Sequence, residues 1–223
     1  MKKFIYMVAS LAFLTACHST TTTENKAETT QATATTEQTT QKSNGQADLS
    51  LGIQMVVNKK HKLPADYNPG ENPIAGEKVR ELIQKMQELG FSISNQYSGF
   101  RSYEYQTQLY QNYVNKDGKE AADTYSARPG YSEHQTGLAF DILNGAGGLL
   151  GENPQDEKAI EWLHSHAHEY GFIVRFQEGK EAITGYQAEA WHLRYVGDIA
   201  EKIYTSNLTL EEYFGVEGGN YAD

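Results

Sequence analysis

Between His18 and Asp48 the chain contains no Val, Ile, Leu, Met, Phe, Tyr or Trp, and Thr, Gln, Ala and Glu dominate. A segment so poor in apolar side chains has nothing to bury that would offset the entropy of ordering its backbone. Any fold must therefore be built from the residues C-terminal to it, where apolar side chains become frequent at Leu49 and stay so to about Val216. The stretch before Leu49 predicts a flexible polar linker of about 30 residues, with a random-coil reach of roughly 30 Å. The full chain has 223 residues, 39% of them hydrophobic, which suits one domain with a real core and excludes wholesale disorder. Its 19 basic and 29 acidic residues leave a net charge of -10. That balance argues against a nucleic-acid partner, because such binders neutralise phosphates with Lys and Arg.

Ahead of the linker, Lys2 and Lys3 precede a largely apolar stretch from Phe4 to Phe13. It is too short to cross a bilayer core, which takes about 20 residues, and it fits an export signal. The signal closes in Leu14-Thr15-Ala16-Cys17, which resembles the bacterial lipobox, whose Cys is lipidated and becomes the first mature residue. Cys17 is the only cysteine, so an intramolecular disulfide and a Cys-rich zinc site are both excluded. The expected organisation is a signal peptide at 1–16, lipidated Cys17 and linker at 17–48, one folded domain at 49–217 and a tail at 218–223. Two or more acyl chains anchor stably where one does not. The lipobox resemblance therefore implies a domain tethered to the extracellular face of the bacterial cytoplasmic membrane.

Within the domain, Val79, Leu82, Ile83, Met86 and Leu89 recur at helical spacing, with Gly90 as a stop. Phe91–Ser94 alternates like a short strand. A second helix is expected from Tyr103 to Asn115 and a third from about Asp156 to Tyr170, ending at Gly171. Strand character follows at Leu138–Leu143, Phe172–Phe176 and Trp191–Val196. Helices and strands are interspersed without long βαβ periodicity, so the expected class is α+β, a small antiparallel sheet flanked by helices.

Three stretches carry the chemistry: Ser98-Gly99-Phe100-Arg101, Ser132-Glu133-His134 on to Asp141, and Glu189-Ala190-Trp191-His192. Two imidazoles, one carboxylate ligand and a free carboxylate suffice for a hydrolytic zinc site, which commonly has three protein ligands and an open fourth position. The free carboxylate can move protons between water and a leaving amine. An extended run would place Ala139 and Asp141 on one face, with Phe140 and Ile142 on the other. A carboxylate so flanked needs a partner, and spacing alone leaves that partner as either a metal or a neighbouring loop.

The flanks of these residues decide between the two. Ser132 to Asp141 resembles the S-x-H-x-x-G-x-A-x-D signature of the VanY-like D-alanyl carboxypeptidases, zinc peptidases related to VanX and in fold to the Hedgehog domain. Glu189 to His192 resembles that family's E-x-W-H motif, and Ser98 to Arg101 its S-G-[FY]-R element. Within the family the chain is most similar to the LdcB/DacB lipoprotein L,D-carboxypeptidases. The resemblance implies one zinc ion held by His134, Asp141 and His192, with Glu189 as general base. It further implies that Arg101 binds the substrate carboxylate or the oxyanion, that Ser132 and Gln106 contact the peptide, and that Trp191 walls the pocket. The implied partner is a peptidoglycan stem peptide, and a monomer is expected. The expected activity is removal of the terminal D-Ala from tetrapeptide stems. The alternatives are a D,D-carboxypeptidase acting on pentapeptide D-Ala-D-Ala ends, and a non-catalytic zinc domain that binds wall peptide. Because Glu189 and His192 are three residues apart, they face opposite ways on a straight strand, so a bend between them is predicted.

Other residues mimic a site. His164 and His168 would share a helical face, but the Glu that H-E-x-x-H places after its first His is absent. They are expected as polar residues on the outside of a packed helix. His61, among Lys59, Lys60 and Lys62, is expected on a solvated basic patch. The tyrosines near the motifs are expected mostly at the core edge, some lining a peptide groove.

Overall fold

The computed structural model describes residues 45–222; Cys17, the signal peptide and all but the end of the linker lie outside them. Seven α-helices occur among the described residues: α1 (Pro73–Glu88), α2 (Tyr103–Asp117), α3 (Lys119–Tyr125), α4 (Glu157–His166), α5 (Glu181–Thr184), α6 (Ala200–Ser206) and α7 (Leu210–Phe214). Four strands, β1 (Ile93–Ser98), β2 (Ala139–Asn144), β3 (Phe172–Phe176) and β4 (Glu189–Tyr195), pair antiparallel in the order β1-β2-β4-β3. The expected α+β class and antiparallel sheet are thus observed. No helix among the described residues is long and apolar enough to cross a membrane.

Helix α1 starts where Asn72 accepts hydrogen bonds from the Ile74 and Ala75 amides, with Pro73 at the first helical position. Its stripe of Val79, Leu82, Ile83 and Met86 is buried against Phe140 and Ile142 of β2, Leu193 of β4, Phe172 of β3 and Leu163 of α4. Removing each such side chain from water is worth roughly 1.5–3 kcal/mol before entropy is counted. That stripe dictates which face of the sheet is core. Strand alternation then sends Asp141, His192, Arg194 and Arg175 to the opposite face, where the polar site forms.

The differences from the sequence expectations have physical causes. Strand β1 begins at Ile93 rather than Phe91 and continues to Ser98. It is an edge strand with Asn95 and Gln96 exposed, so its second half carries no apolar alternation. Lys59 and His61 are buried rather than solvated. Lys59 donates to the Asp123 and Gly185 carbonyls, and the His61 ring meets Asn58 Oδ1 at 2.9 Å. Packing also continues past both expected domain edges. Ala47 is buried and its amide bonds Lys62 O, while the Tyr221 hydroxyl accepts from the Arg128 amide at 2.8 Å and its ring lies under the Arg128 guanidinium.

The short 3-10 turn Glu133–Thr136 ends at Gly137, which has φ +71°. A Cβ there would stand 2.1 Å from Gly70 O, so both conformation and space demand glycine. Gly137→Ala is expected to cost well over ~1 kcal/mol, read as a lowered urea midpoint at unchanged slope. An unchanged midpoint would contradict the packing described.

Candidate active site

Strand register builds the centre of the site. Asp141 on β2 sits between Ser98 of β1 and His192 of β4. His134 comes from the 3-10 turn just before β2, and Arg101 from the loop joining β1 to α2. The Arg101 amide bonds His134 O at 3.2 Å, which ties these two segments together. The predicted bend in β4 is present. Val174 pairs with Leu193 and Phe176 with Glu189, so one residue on β3 lies opposite three on β4 between these pairs. This bulge turns Glu189 onto the face of His192, its Oε2 3.4 Å from His192 Nδ1.

His134 Nε2, Asp141 Oδ1 and His192 Nδ1 converge. The first two are 3.2 Å apart and the last two 3.3 Å apart, and all three lie within 4.8 Å of one another. Ligands about 2.1 Å from a tetrahedral zinc would stand roughly 3.4 Å from each other. Protonation adds a second argument. His134 Nδ1 donates to Gly99 O at 2.7 Å, and burial followed by Arg101 pushes the His134 pKa down to about 4. Near neutrality its Nε2 is therefore a bare lone pair, buried without a hydrogen-bond partner and facing Asp141 Oδ1, also unpartnered. Two facing lone pairs repel unless a cation lies between them. Around His192, burial lowers the pKa, but Asp141, Glu133 and Glu189 outweigh it and hold the imidazole well above its ordinary value. Two imidazole nitrogens and one carboxylate oxygen facing a common point are a donor set that fits zinc.

The remaining predicted residues share one cavity of about 280 Å³ with the cluster: Arg101, Gln106, Ser132, Glu189 and Trp191 all line it. Arg101 Nη2 donates to Asp141 Oδ2 at 3.1 Å and Nη1 to Gln106 Oε1 at 3.3 Å. Gln106, buried on α2, also donates to Ala127 O at 2.7 Å, so it holds the guanidinium in place. Burial pushes the Glu189 carboxyl up, against the opposing pull of His192, which suits a group that must accept and release a proton. Tyr113, Tyr125, Tyr131 and Tyr186, with Phe176 and Trp191, form the aromatic part of the wall.

The histidines of the third predicted helix lie elsewhere and are half-buried rather than exposed. His164 Nε2 meets Ala190 O at 3.1 Å, His166 stacks on Trp162 and His168 on Tyr204. They belong to no metal-holding cluster among the described residues. Sequence reasoning overlooked Glu133, whose carboxylate is buried against His192, Arg175 and Arg194. A Glu beside a ligand inside an otherwise buried turn was the available signal.

Two imidazoles and two carboxylates thus meet on one face of the sheet, at the floor of a cavity, and solved VanY and VanX-type D,D-peptidases share this fold. The profile of the VanY family, D-alanyl-D-alanine carboxypeptidase, matches residues 68–198, and the chain belongs to that family. It is a carboxypeptidase of peptidoglycan peptides. YodJ of Bacillus subtilis is 37% identical over 183 residues, 73% of this chain and 67% of YodJ. The solved LdcB LD-carboxypeptidase is 62% identical, with a TM-score of 0.71 over 75% of this chain and 89% of that one. A VanY D,D-pentapeptidase solved in complex with Zn(II) is 32% identical, with a TM-score of 0.61 over 72% of this chain and 98% of that one.

Proposed function

We propose that the protein is a zinc-dependent L,D-carboxypeptidase that removes the terminal D-Ala of peptidoglycan tetrapeptide stems. The carrying observation is the His134, Asp141, His192 cluster with Glu189 beside it, in a chain 62% identical to a solved LD-carboxypeptidase. The Zn(II) in the VanY relative and the facing lone pairs support zinc as the metal.

His134, Asp141 and His192 would hold the ion, which when bound supplies a Lewis acid to polarise the scissile carbonyl and acidify water. Glu189 takes the proton of the attacking water and passes it to the departing D-Ala amine. Arg101, steadied by Gln106 and Asp141, pairs with the terminal carboxylate or with the oxyanion of the tetrahedral intermediate. Ser132 and Trp191 contact the peptide from the same wall. The location belongs to the same proposal: lipidated Cys17 and the polar linker would keep the domain on the outer face of the membrane, beside its wall substrate.

The test incubates the protein separately with tetrapeptide and pentapeptide stems and follows D-Ala release by mass spectrometry. Tetrapeptide trimming is expected to fall at least ~10-fold on chelation and to return with added Zn²⁺. Cleavage of the pentapeptide alone would move the same site to D,D chemistry. No release from either substrate by the zinc-loaded protein would leave a wall-peptide binding domain.

A further inference from the structure

We propose that Glu133 is the positioning residue of His192, orienting that ring for the metal by accepting a hydrogen bond from its Nε2–H. This inference rests on the zinc reading of the site. Glu133 Oε2 is buried and has no hydrogen-bond partner, and neither does His192 Nε2, yet the two face each other at 3.4 Å. A buried carboxylate oxygen without a donor is costly, and so is a buried ring N–H without an acceptor. Each supplies what the other lacks.

The carboxylate is not free to turn away. Its other oxygen, Oε1, accepts from Arg175 Nε at 2.9 Å and from Arg194 Nη1 at 2.8 Å. Arg175 is clamped from behind by Glu211 of α7, at 2.8 and 2.6 Å. Arg194 is held by the carbonyls of Ile53 and Met55, at 3.1 and 2.7 Å. Balancing the two arginines uses Oε1; it gives no reason for Oε2 to point at an imidazole.

Ring geometry supplies that reason. His192 packs edge-on to His134, with ring centroids 5.0 Å apart, and against Phe176 at 4.8 Å, contacts that a flipped ring would keep in shape. Flipping would put carbon where Nε2 faces Glu133 and carbon where Nδ1 faces Asp141. Packing alone therefore tolerates either orientation, whereas Glu133 accepts only the one that presents the Nδ1 lone pair to Asp141 Oδ1 and His134 Nε2. An acceptor behind a metal-binding imidazole fixes its tautomer and raises its basicity, and losing one typically costs 10–100-fold in metal affinity.

The test measures zinc affinity of the full chain by competition with a chelating indicator, beside urea unfolding of the same samples. Glu133→Gln removes the carboxylate charge, and Glu133→Asp keeps it for the arginines while drawing it back from the ring. Glu211→Gln loosens the clamp on Arg175 and leaves the His192 partner in place. Both Glu133 variants are expected to weaken zinc binding about 10–100-fold, while Glu211→Gln, which leaves Glu133 held by Arg194, lowers the urea midpoint and costs clearly less zinc affinity than either. Wild-type affinity in the Glu133 variants, or an equal loss in Glu211→Gln, would reduce Glu133 to a structural ion pair and overturn the inference. If Glu133→Gln does not fold, Glu133→Asp decides alone. A wild-type chain that binds no zinc would overturn the zinc reading itself, and this inference with it.

Discussion

Replacing Glu189 by Gln is expected to lower D-Ala release by about 10²–10⁴-fold, the range for loss of a general acid–base group. The substitution keeps size and shape and removes only the ability to carry a proton. Its Oε2 lies 3.4 Å from His192 Nδ1 without belonging to the three converging ligand atoms, so zinc content should be retained. Burial, the larger influence on this carboxyl, raises its pKa toward the range where a proton is both taken and returned. Single-turnover mass spectrometry on the tetrapeptide gives the rate, and metal analysis of the same sample gives occupancy. Turnover within tenfold of wild type, zinc still bound, would remove Glu189 from the mechanism. A zinc-free variant would instead make Glu189 part of the metal's hold.

The second large effect concerns stability. Arg175→Met is expected to cost about 3–5 kcal/mol, because removing one partner of a buried ion pair strands the others. Arg175 is fully buried on β3 and joins Glu133 to Glu211. Burial alone would raise the Glu133 carboxyl, but Arg175 and then Arg194 outweigh it and hold the group well below the usual carboxylate range. The pH dependence comes from that direction. A folded-state pKa depressed below the unfolded value of about 4.3 gives stability that is fully present above that value. It is lost progressively as pH falls further, toward the folded pKa. The gap between wild type and Arg175→Met should therefore be widest near neutrality and narrow below about pH 4. Urea unfolding at a series of pH values reads it. A pH-independent gap, or one below ~1 kcal/mol, would show that these charges do not act as a buried network.

Much of the site was legible before any fold was known, and the reason is local. His134 and Asp141 belong to one turn-and-strand segment, and Glu189 and His192 to another, so their spacing carries most of their relative placement. Even the bulge in β4 came from requiring Glu189 and His192 to meet, and the offset of Val174–Leu193 against Phe176–Glu189 supplies it. The helical stripe on α1 likewise announced which side of the sheet would be dry. Gln106 was read as a substrate contact, but the observed bonds give it a local task as well, holding Arg101.

What stayed hidden were groups whose partners are far along the chain. Lys59 and His61 stand in a run of charge, which ordinarily means surface. They are buried because Asp123, Gly185 and Glu211 close over that region from segments more than 60 residues away. Glu133 falls on the unspecified x of S-x-H, between two motif residues; its meaning depends on Arg175, Arg194 and His192. By itself the sequence determined the α+β class and the core stripe, and it marked out the three side chains that converge and the carboxylate beside them, because periodicity and short spacings are written within a few residues. Tertiary structure alone decided which charges share one water-poor interior, because that depends on strand register and on segments meeting across the fold, and only there does a carboxylate become a fixed partner for an imidazole.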